Sequence, residues 1–436
     1  MVQQKVDQNK VSYNFGVKGW GIIIMEVVLL FFMTGMTVDG LNIIVPAMAE
    51  YRGWNPDTLL SISTPAGIIA LILGAFWGKF IEKFGLKKVT LITMFAAAIA
   101  TFCYGNSVSI PMYAVSLVAM VTLITAFAIN CGFAICANWF PTQKGIVMGL
   151  TTIGMNLASA IISLILNAIT QAYNIAVAVS FIGVVIIIVG IVVLLFVKAT
   201  PEEAGCYPDN DPAVAELIRK EEAMSKAEDR ITYTQALKNP KVWILGAAYG
   251  CFGLATVGIM SQLVGYFTTV KGFEINRAIL TMTVAAIIGM VGSWLWGVVD
   301  QKIGTQKASV AFGIWYFIGI LCLLSSITPV FYLGIFMLGF AIGGNGNFAP
   351  SMSSYVFGRQ DFAICFSCLN MVVGVVRSCS FVVLAVLRGM FSGYTVPYIV
   401  FACVSLLGAL LVGITKVRGV VGASLEAEDG GNTQEA

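Results

Sequence analysis

Long apolar runs alternate with short polar breaks along almost the whole chain. Twelve such runs stand out, at 20–46, 57–82, 88–107, 111–139, 145–172, 175–199, 242–269, 276–301, 307–326, 329–356, 362–388 and 395–416. A helix needs about 20 mostly apolar residues to cross the hydrocarbon core of a bilayer, so each run is a candidate span. Turn-forming residues punctuate them: Pro111, Pro141-Thr142, Gly304, Pro329, Gly358 and Gly393. One stretch departs from the pattern. Residues 200–240 carry charges of both signs and four of the 12 prolines, Pro201, Pro208, Pro212 and Pro240. Within it, Val214, Leu217 and Ile218 share one helical face, as on a surface helix. The pattern predicts an all-α membrane protein with twelve transmembrane helices in two six-helix, pseudo-symmetric halves. The expected divisions are an N-terminal tail at 1–19, a bundle at 20–199, a polar linker at 200–240, a second bundle at 241–416 and a disordered, acidic tail at 417–436.

A repeat supports the duplication. Trp77-Gly78-x4-Lys83-x-Gly85-x2-Lys88 recurs as Trp296-Gly297-x4-Lys302-x-Gly304-x2-Lys307, shifted by 219 positions in a chain of 436. Glycine at both ends permits a close helix approach and a tight turn. Lys83, Lys87 and Lys88 are placed to meet helix C-terminal carbonyls or neighbouring acids, and so to hold one side shut. The alternative is plain charge anchoring at the membrane surface. Duplicated bundles are the architecture of secondary transporters, whose substrate site lies between the halves.

Composition agrees. The chain is 58% hydrophobic and 11% charged, with a mean hydropathy of +0.90, where soluble domains average about 25% charged residues. The net charge of +3 and the lack of basic clusters interleaved with aromatics exclude a nucleic-acid partner. There are 10 cysteines and no histidine. Cys365 and Cys368 form a C-x-x-C inside an apolar run, which reads as packing rather than redox or metal chemistry. No nucleophile–base pair or ligand cluster is visible, so neither an enzyme nor a cofactor or metal is expected. With both termini in the cytoplasm, twenty of the 25 Lys and Arg fall on that side. Arg52, Lys271, Arg277 and Arg388 fall outside. This bias predicts a multi-pass protein of the cytoplasmic membrane with both termini inside.

The repeated turn resembles the loop after helices 2 and 8 of the major facilitator superfamily, whose pattern is G-x3-D-R-x-G-R-R. Here it stands as Gly78-x3-Glu82-Lys83-x-Gly85-x-Lys87-Lys88, while the second copy has Gln301 at the acidic position and Asp300 one residue early. A narrower resemblance, to the oxalate/formate antiporter and monocarboxylate transporter branch, runs along most of the chain. It is carried by Lys18-Gly19-Trp20-Gly21, with Lys18 where relatives keep an acid, and by Trp139-Phe140-x3-Lys144-Gly145-x3-Gly149-Leu150-x3-Gly154. It is also carried by Pro201-Glu202-Glu203-Ala204-Gly205-Cys206-Tyr207-Pro208-Asp209 and by Gln235-Ala236-Leu237-Lys238-Asn239-Pro240-Lys241-Val242-Trp243. The resemblance implies the major facilitator fold and transport of an organic anion.

A charge at mid-bilayer costs about 2.5–3.5 kcal/mol even on lenient scales, so each one needs a reason. Three qualify: Glu26 and Asp39 in helix 1, and Arg377 in helix 11. A guanidinium binds a carboxylate through a planar fork. Arg377 is therefore either a substrate ligand or the partner of Asp39 or Glu26. Its place in Asn370-x3-Gly374-x2-Arg377 resembles that of a substrate-contacting lysine in the antiporters. Those relatives keep an arginine four residues before the turn glycine; Ser293 stands there, which implies a substrate with one carboxylate. Asp39, among Thr34, Thr37 and Asn42, suits a proton carrier, a helix-end cap or a partner for Arg377. Glu26 is a second relay or faces polar groups of a neighbour. Asn345, Asn347, Asn370, Gln262 and Tyr266 either line a cavity or serve interhelical bonding and packing.

The sequence thus points to a secondary transporter of a small organic monocarboxylate, coupled to protons and acting as a monomer. Arg377 would hold the substrate with Asn345, Asn347, Asn370, Gln262 and Tyr266 nearby. Asp39 and Glu26 would carry protons. Gly78, Glu82, Lys83, Gly85, Lys88, Gly297, Lys302 and Gly304 would form the gate. An anion exchanger driven by a counter-anion is the alternative, and a non-transporting sensor a remoter one.

Overall fold

The computed structural model describes residues 10–224, 230–391 and 393–417. The acidic tail from 418 onward lies outside them. The described chain forms twelve helical segments: α1 (16–52), α2 (56–84), α3 (Leu86–Gly105), α4 (Ile110–Trp139), α5 (Lys144–Ala172), α6 (Ile175–Phe196), α7 (240–269), α8 (Ile275–Ile303), α9 (Thr305–Leu324), α10 (328–357), α11 (359–391) and α12 (Thr395–Ile414). Ten helices are long and apolar enough to cross a membrane alone, or 11 if the bent pair in α2 is one span. The difference from twelve lies in α10 and α11. α10 starts as a shorter apolar helix, Thr328–Gly344, and runs into α11 with only Gly358 (φ 67°, ψ −178°) marking the turn between them. α1 reaches Arg52, beyond the predicted 46, because Pro46 is accommodated inside its last piece, Leu41–Arg52.

Local chemistry starts several of these helices. Ser109 caps α4, its hydroxyl accepting from Met112 N at 3.4 Å, with Pro111 in the first turn. Asn174 caps α6 through Val177 N at 2.9 Å, and Asn239 precedes Pro240 at the start of α7. The two repeat copies end α2 and α8 alike. Gly85 and Gly304 both have φ 85°, with ψ 146° and 145°, a backbone that side chains with a Cβ rarely adopt.

In lipid, every backbone polar group needs an internal partner, so helix breaks are tolerated only against protein or a water-filled space. The breaks here follow that rule. α3, α6, α9 and α12 are continuous and pack in equivalent pairs, α3 on α6 and α9 on α12. α1 and α4 carry π-helical turns at Gly35–Asp39 and Ala126–Gly132, and α7 and α10 break at 261–262 and 345–347. The broken helices occupy corresponding positions in the two halves.

The halves meet at two glycine-mediated crossings. A Cβ on Gly78 of α2 would lie 2.8 Å from Ile364 Cα of α11. One on Gly149 of α5 would lie 2.7 Å from Gly297 Cα of α8. Both glycines of the repeat, Gly78 and Gly297, therefore sit where backbones of opposite halves touch. Both crossings lie toward the linker, whose helix Pro212–Met224 buries Val214, Leu217 and Ile218. That side is called the linker face below, and the opposite side the far face.

Replacing Gly149 by Val forces a side chain into backbone with no room to yield. Overpacking of this kind costs about 1–3 kcal/mol. Gly149→Val should lower the unfolding temperature in detergent, while Gly74→Ala, with nothing within 4 Å of its Cβ position, should not. Equal unfolding temperatures for the two variants would refute the crossing as described.

Candidate functional site

Between the crossings, polar side chains from both halves close the linker side of the interface. Thr152 interrupts α5, and its hydroxyl bonds to Asn347 Oδ1 of α10 and lies 3.0 Å from the Ser293 hydroxyl of α8. Asn347 Nδ2 donates to the Ser293 carbonyl at 2.7 Å, and Ser293 Oγ donates to the Gly343 carbonyl at 2.7 Å. On the other flank, Ser367 of α11 donates to Asn130 Oδ1 of α4 at 3.0 Å. Thr152, Asn347, Ser293, Ser367 and Asn130 are all buried. Asn347, expected at a substrate site, is instead committed to this seal, and Ser293 fills the place of an arginine with a hydroxyl that bridges backbones.

Beyond the seal lie the intramembrane charges Asp39 and Arg377. Ser159 of α5 lies between the positions that face α1 (Gly154, Ile162) and one that faces α8 (Asn156), yet it is exposed. Its hydroxyl donates to Asp39 Oδ2 at 2.6 Å. Asp39 is half-buried at the end of the α1 π-turn, a break that turns its carboxylate toward α5. Arg377 is exposed as well. Its stem packs on Gly253 of α7, where a Cβ would lie 3.2 Å from it, and Gly374, one turn earlier, packs on Leu71 of α2. The Arg377 stem therefore lies along the contact of α11 with α7. No hydrogen bond or ion pair joins Arg377 to any described residue, Asp39 and Glu26 included. Arg377 thus has no ionic partner among the described residues, and the Asp39 carboxylate is held by Ser159 of α5.

The other expected site residues divide. Asn345 and Asn370 are half-buried, with no side-chain hydrogen bond among the described residues. Glu26 is fully buried against the α4 π-turn, its carboxylate packed on Gly132, and neither oxygen has a hydrogen-bond partner. Tyr266 is fully buried among Tyr394, Tyr398 and Phe267 and donates to the Leu323 carbonyl at 3.0 Å. It packs within the second half. Gln262 sits at the α7 break and accepts from Arg388 at 3.0 Å. Ser159 and Thr152 were missed in the sequence, where a hydroxyl in an apolar run has no contrast with the many others.

The chain matches the family model described as Major Facilitator Superfamily over residues 27–308. It belongs to that superfamily. It is similar to YhjX, an uncharacterised MFS-type transporter of Escherichia coli (strain K12), at 20% identity over 69% of this chain and 72% of that one. It is also similar to a hexuronate transporter of Bacillus subtilis (strain 168), at 22% identity over 71% and 72%. In fold it resembles the proton:xylose symporter XylE bound to 6-bromo-6-deoxy-D-glucose, with a TM-score of 0.73, 13% identity and coverage of 93% and 98%. The protein is a multi-pass secondary transporter of the superfamily, not an enzyme.

The superfamily turns fasten the linker face unequally. In the second copy, Gln301 accepts from Gly145 N at 3.1 Å and donates to the Thr142 carbonyl at 2.7 Å, which ties α8 to the start of α5. In the first copy, Glu82 is exposed with no hydrogen bond or ion pair among the described residues. Lys87 donates to the Leu194 carbonyl near the end of α6 at 3.1 Å. Lys83 lies over the Phe84 ring, and Lys88 and Lys302 are exposed.

The linker adds two charged clasps. Asp209, buried in a left-handed turn (φ 53°), accepts from Thr142 N at 2.9 Å, Thr142 Oγ1 at 2.8 Å and Gln143 N at 3.3 Å. Glu202 takes both arms of Arg359, at 2.8 and 2.6 Å. Burial works against the Glu202 carboxylate, but the Arg359 fork outweighs it and holds the group below the usual carboxylate range. At Asp209 burial prevails over the Thr142 and Gln143 bonds and Lys144, and pushes the carboxyl up to about 6. The folded state then holds a proton more firmly than the unfolded chain. That contribution is full below the unfolded value of 3.8 and is lost as pH rises through about 6. The stability of wild type relative to Asp209→Asn should therefore fall between pH 4.5 and pH 7 and level off above it, read by thermal unfolding across pH. A difference that does not change over that range would contradict this.

Proposed function

We propose that this transporter moves a small organic monocarboxylate by alternating access and that protons drive it. Arg377 holds the carboxylate, and Asp39, with Glu26 behind it, carries the coupling proton. The observation that supports this reading is Arg377, an arginine within the α11 span that has no hydrogen bond or ion pair among the described residues. A bare cation on the inner face of a membrane bundle is costly unless water or an anionic ligand reaches it. Asn345 and Asn370 have free side-chain amides to complete such a contact. The name of the Bacillus relative, a hexuronate transporter, agrees with an anionic substrate.

We read the linker face, rich in Lys and Arg, and both termini as cytoplasmic, and the protein as one of the cytoplasmic membrane. The conformation described is then outward-facing: sealed inside by Thr152, Asn347 and Ser293, with Arg377 and Asp39 beyond the seal. We read the functional unit as a monomer.

A second reading, exchange of organic anions, has one observation in its favour. With no internal carboxylate on Arg377, the empty carrier would have to move a bare charge through the closed state. A transporter so built returns only when loaded. Flux separates the two modes.

In reconstituted vesicles, Arg377→Gln should reduce uptake about 10- to 100-fold, the cost of one charged hydrogen-bonded contact. Wild-type uptake by this variant would end the proposal. Asp39→Asn should abolish accumulation driven by a pH gradient while counterflow continues. If the variant still accumulates substrate against that gradient, Asp39 is not the carrier. Counterflow by the wild type with no response to a pH gradient selects the exchanger.

A further inference from the structure

A second arginine lies on the same strip of α11. Arg388 follows Arg377 by eleven residues, which is about three helical turns, so both project from nearly the same face roughly 16 Å apart. The single turn residue between the two pieces of α11, Cys379, keeps a right-handed backbone (φ −67°, ψ −13°) and preserves that phase. Both arginines also follow the seam with α7: Gly253 underlies the stem of Arg377, and Gln262 bonds Arg388.

The surroundings of Arg388 fix its orientation without neutralising it. The guanidinium lies over the Tyr394 ring, 4.4 Å from its centre. Nη1 donates to Gln262 Oε1 at 3.0 Å, and the Tyr394 hydroxyl donates to the same oxygen at 3.3 Å. No carboxylate among the described residues forms an ion pair with Arg388. A guanidinium has five N–H donors, and Gln262 takes one. The Gln262 amide nitrogen has no hydrogen-bond partner among the described residues. The α7 break supports this arrangement, because Gln262 leaves helical geometry there (φ −127°, ψ 12°). The other far-face cations are engaged differently. Arg277 bonds the Tyr332 hydroxyl at 2.6 Å, Lys271 donates to the Ser325 carbonyl at 2.6 Å, and Arg52 lies over the Tyr51 ring, 4.7 Å from its centre; none of the three lies on α11.

We propose that Arg388, Gln262 and Tyr394 form a second carboxylate-binding site at the far mouth, where an anionic substrate docks before it passes to Arg377. The site takes one carboxylate on the free edge of the guanidinium, with the Gln262 amide as an added donor and the Tyr394 ring as the platform. It rests on the reading of Arg377 as the inner carboxylate ligand. Two cations on one helix face then form a short path of favourable potential from the mouth to the centre.

Trifluoroacetate, a small carboxylate visible by fluorine NMR, probes both sites without knowledge of the natural substrate. The full-length protein in detergent should broaden its line, and neutral trifluoroethanol sets the background. Arg377→Gln should leave part of the broadening, and Arg377→Gln with Arg388→Gln should reduce it to background. Residual broadening unchanged by Arg388→Gln overturns the mouth site. Broadening in Arg377→Gln equal to wild type, but removed by Arg388→Gln, supports the mouth site and refutes Arg377 as the inner ligand. Gln262→Glu guards against a misfolded Arg388 variant: in the Arg377→Gln background it supplies an internal carboxylate to Arg388 and should also reduce the line to background. Persistent broadening there overturns the proposal as well.

Discussion

Backbone-to-backbone contact between the two halves is the constraint on which the rest of the structure depends. Inside a bilayer, apolar burial gives helices little reason to associate, because lipid tails are as apolar as Leu. Close van der Waals approach and buried hydrogen bonds have to do that work. Gly149 against Gly297, and Gly78 against Ile364, bring backbones near enough for Thr152 to reach Asn347 and for Ser367 to reach Asn130. A side chain at any of these glycines would hold the halves apart and leave those polar groups without partners in a dry interface. The seal and the crossings are therefore one device.

The three ionisable side chains deep in the bundle have different surroundings. Asp39 is half-buried and bonded to Ser159, and Arg377 packs its stem on Gly253 with no ionic partner among the described residues. Glu26 is fully buried and has no hydrogen-bond partner. A carboxyl group so enclosed is tolerable when it carries a proton, because an isolated buried anion costs far more than a neutral acid. The α4 π-turn admits it: Gly132 leaves room that any Cβ would fill. Helix breaks and ionisable groups thus fall together, at the α1 turn for Asp39 and the α4 turn for Glu26. A helix break in a bilayer is tolerated where protein or water meets the irregular backbone.

The sequence made the scaffold legible, because apolar runs, turn glycines and a repeat at a fixed shift survive without three-dimensional information. It also located the three intramembrane charges, since a charge in an apolar run is conspicuous. It did not reveal the seal. Thr152, Ser293 and Ser367 are small hydroxyl residues of a kind that elsewhere in the chain only bonds its own helix, as Thr93 does to the Val89 carbonyl. Which hydroxyl crosses to the other half depends on helix rotation, and no local pattern records it. Tyr266 shows the converse: an aromatic with a polar end suited a substrate site, but its hydroxyl is taken by the Leu323 carbonyl.

The two copies of the repeat show how a duplicated scaffold acquires unequal tasks. Both keep the glycine that crosses halves and the glycine that turns the chain, because both are demands of backbone geometry. The acidic position is free to diverge, since it acts through a side chain at the membrane surface. Gln301 holds α5 and α8 together through one donor and one acceptor, and a neutral amide does not titrate. Glu82 keeps its charge but makes no comparable bond among the described residues. Charge-dependent fastening of that face lies instead with the linker, where Asp209 grips the α4–α5 turn and Glu202 grips Arg359. The neutral latch still has titratable neighbours: Asp300 is buried beside Gly145, and Lys144 adjoins that glycine in the chain.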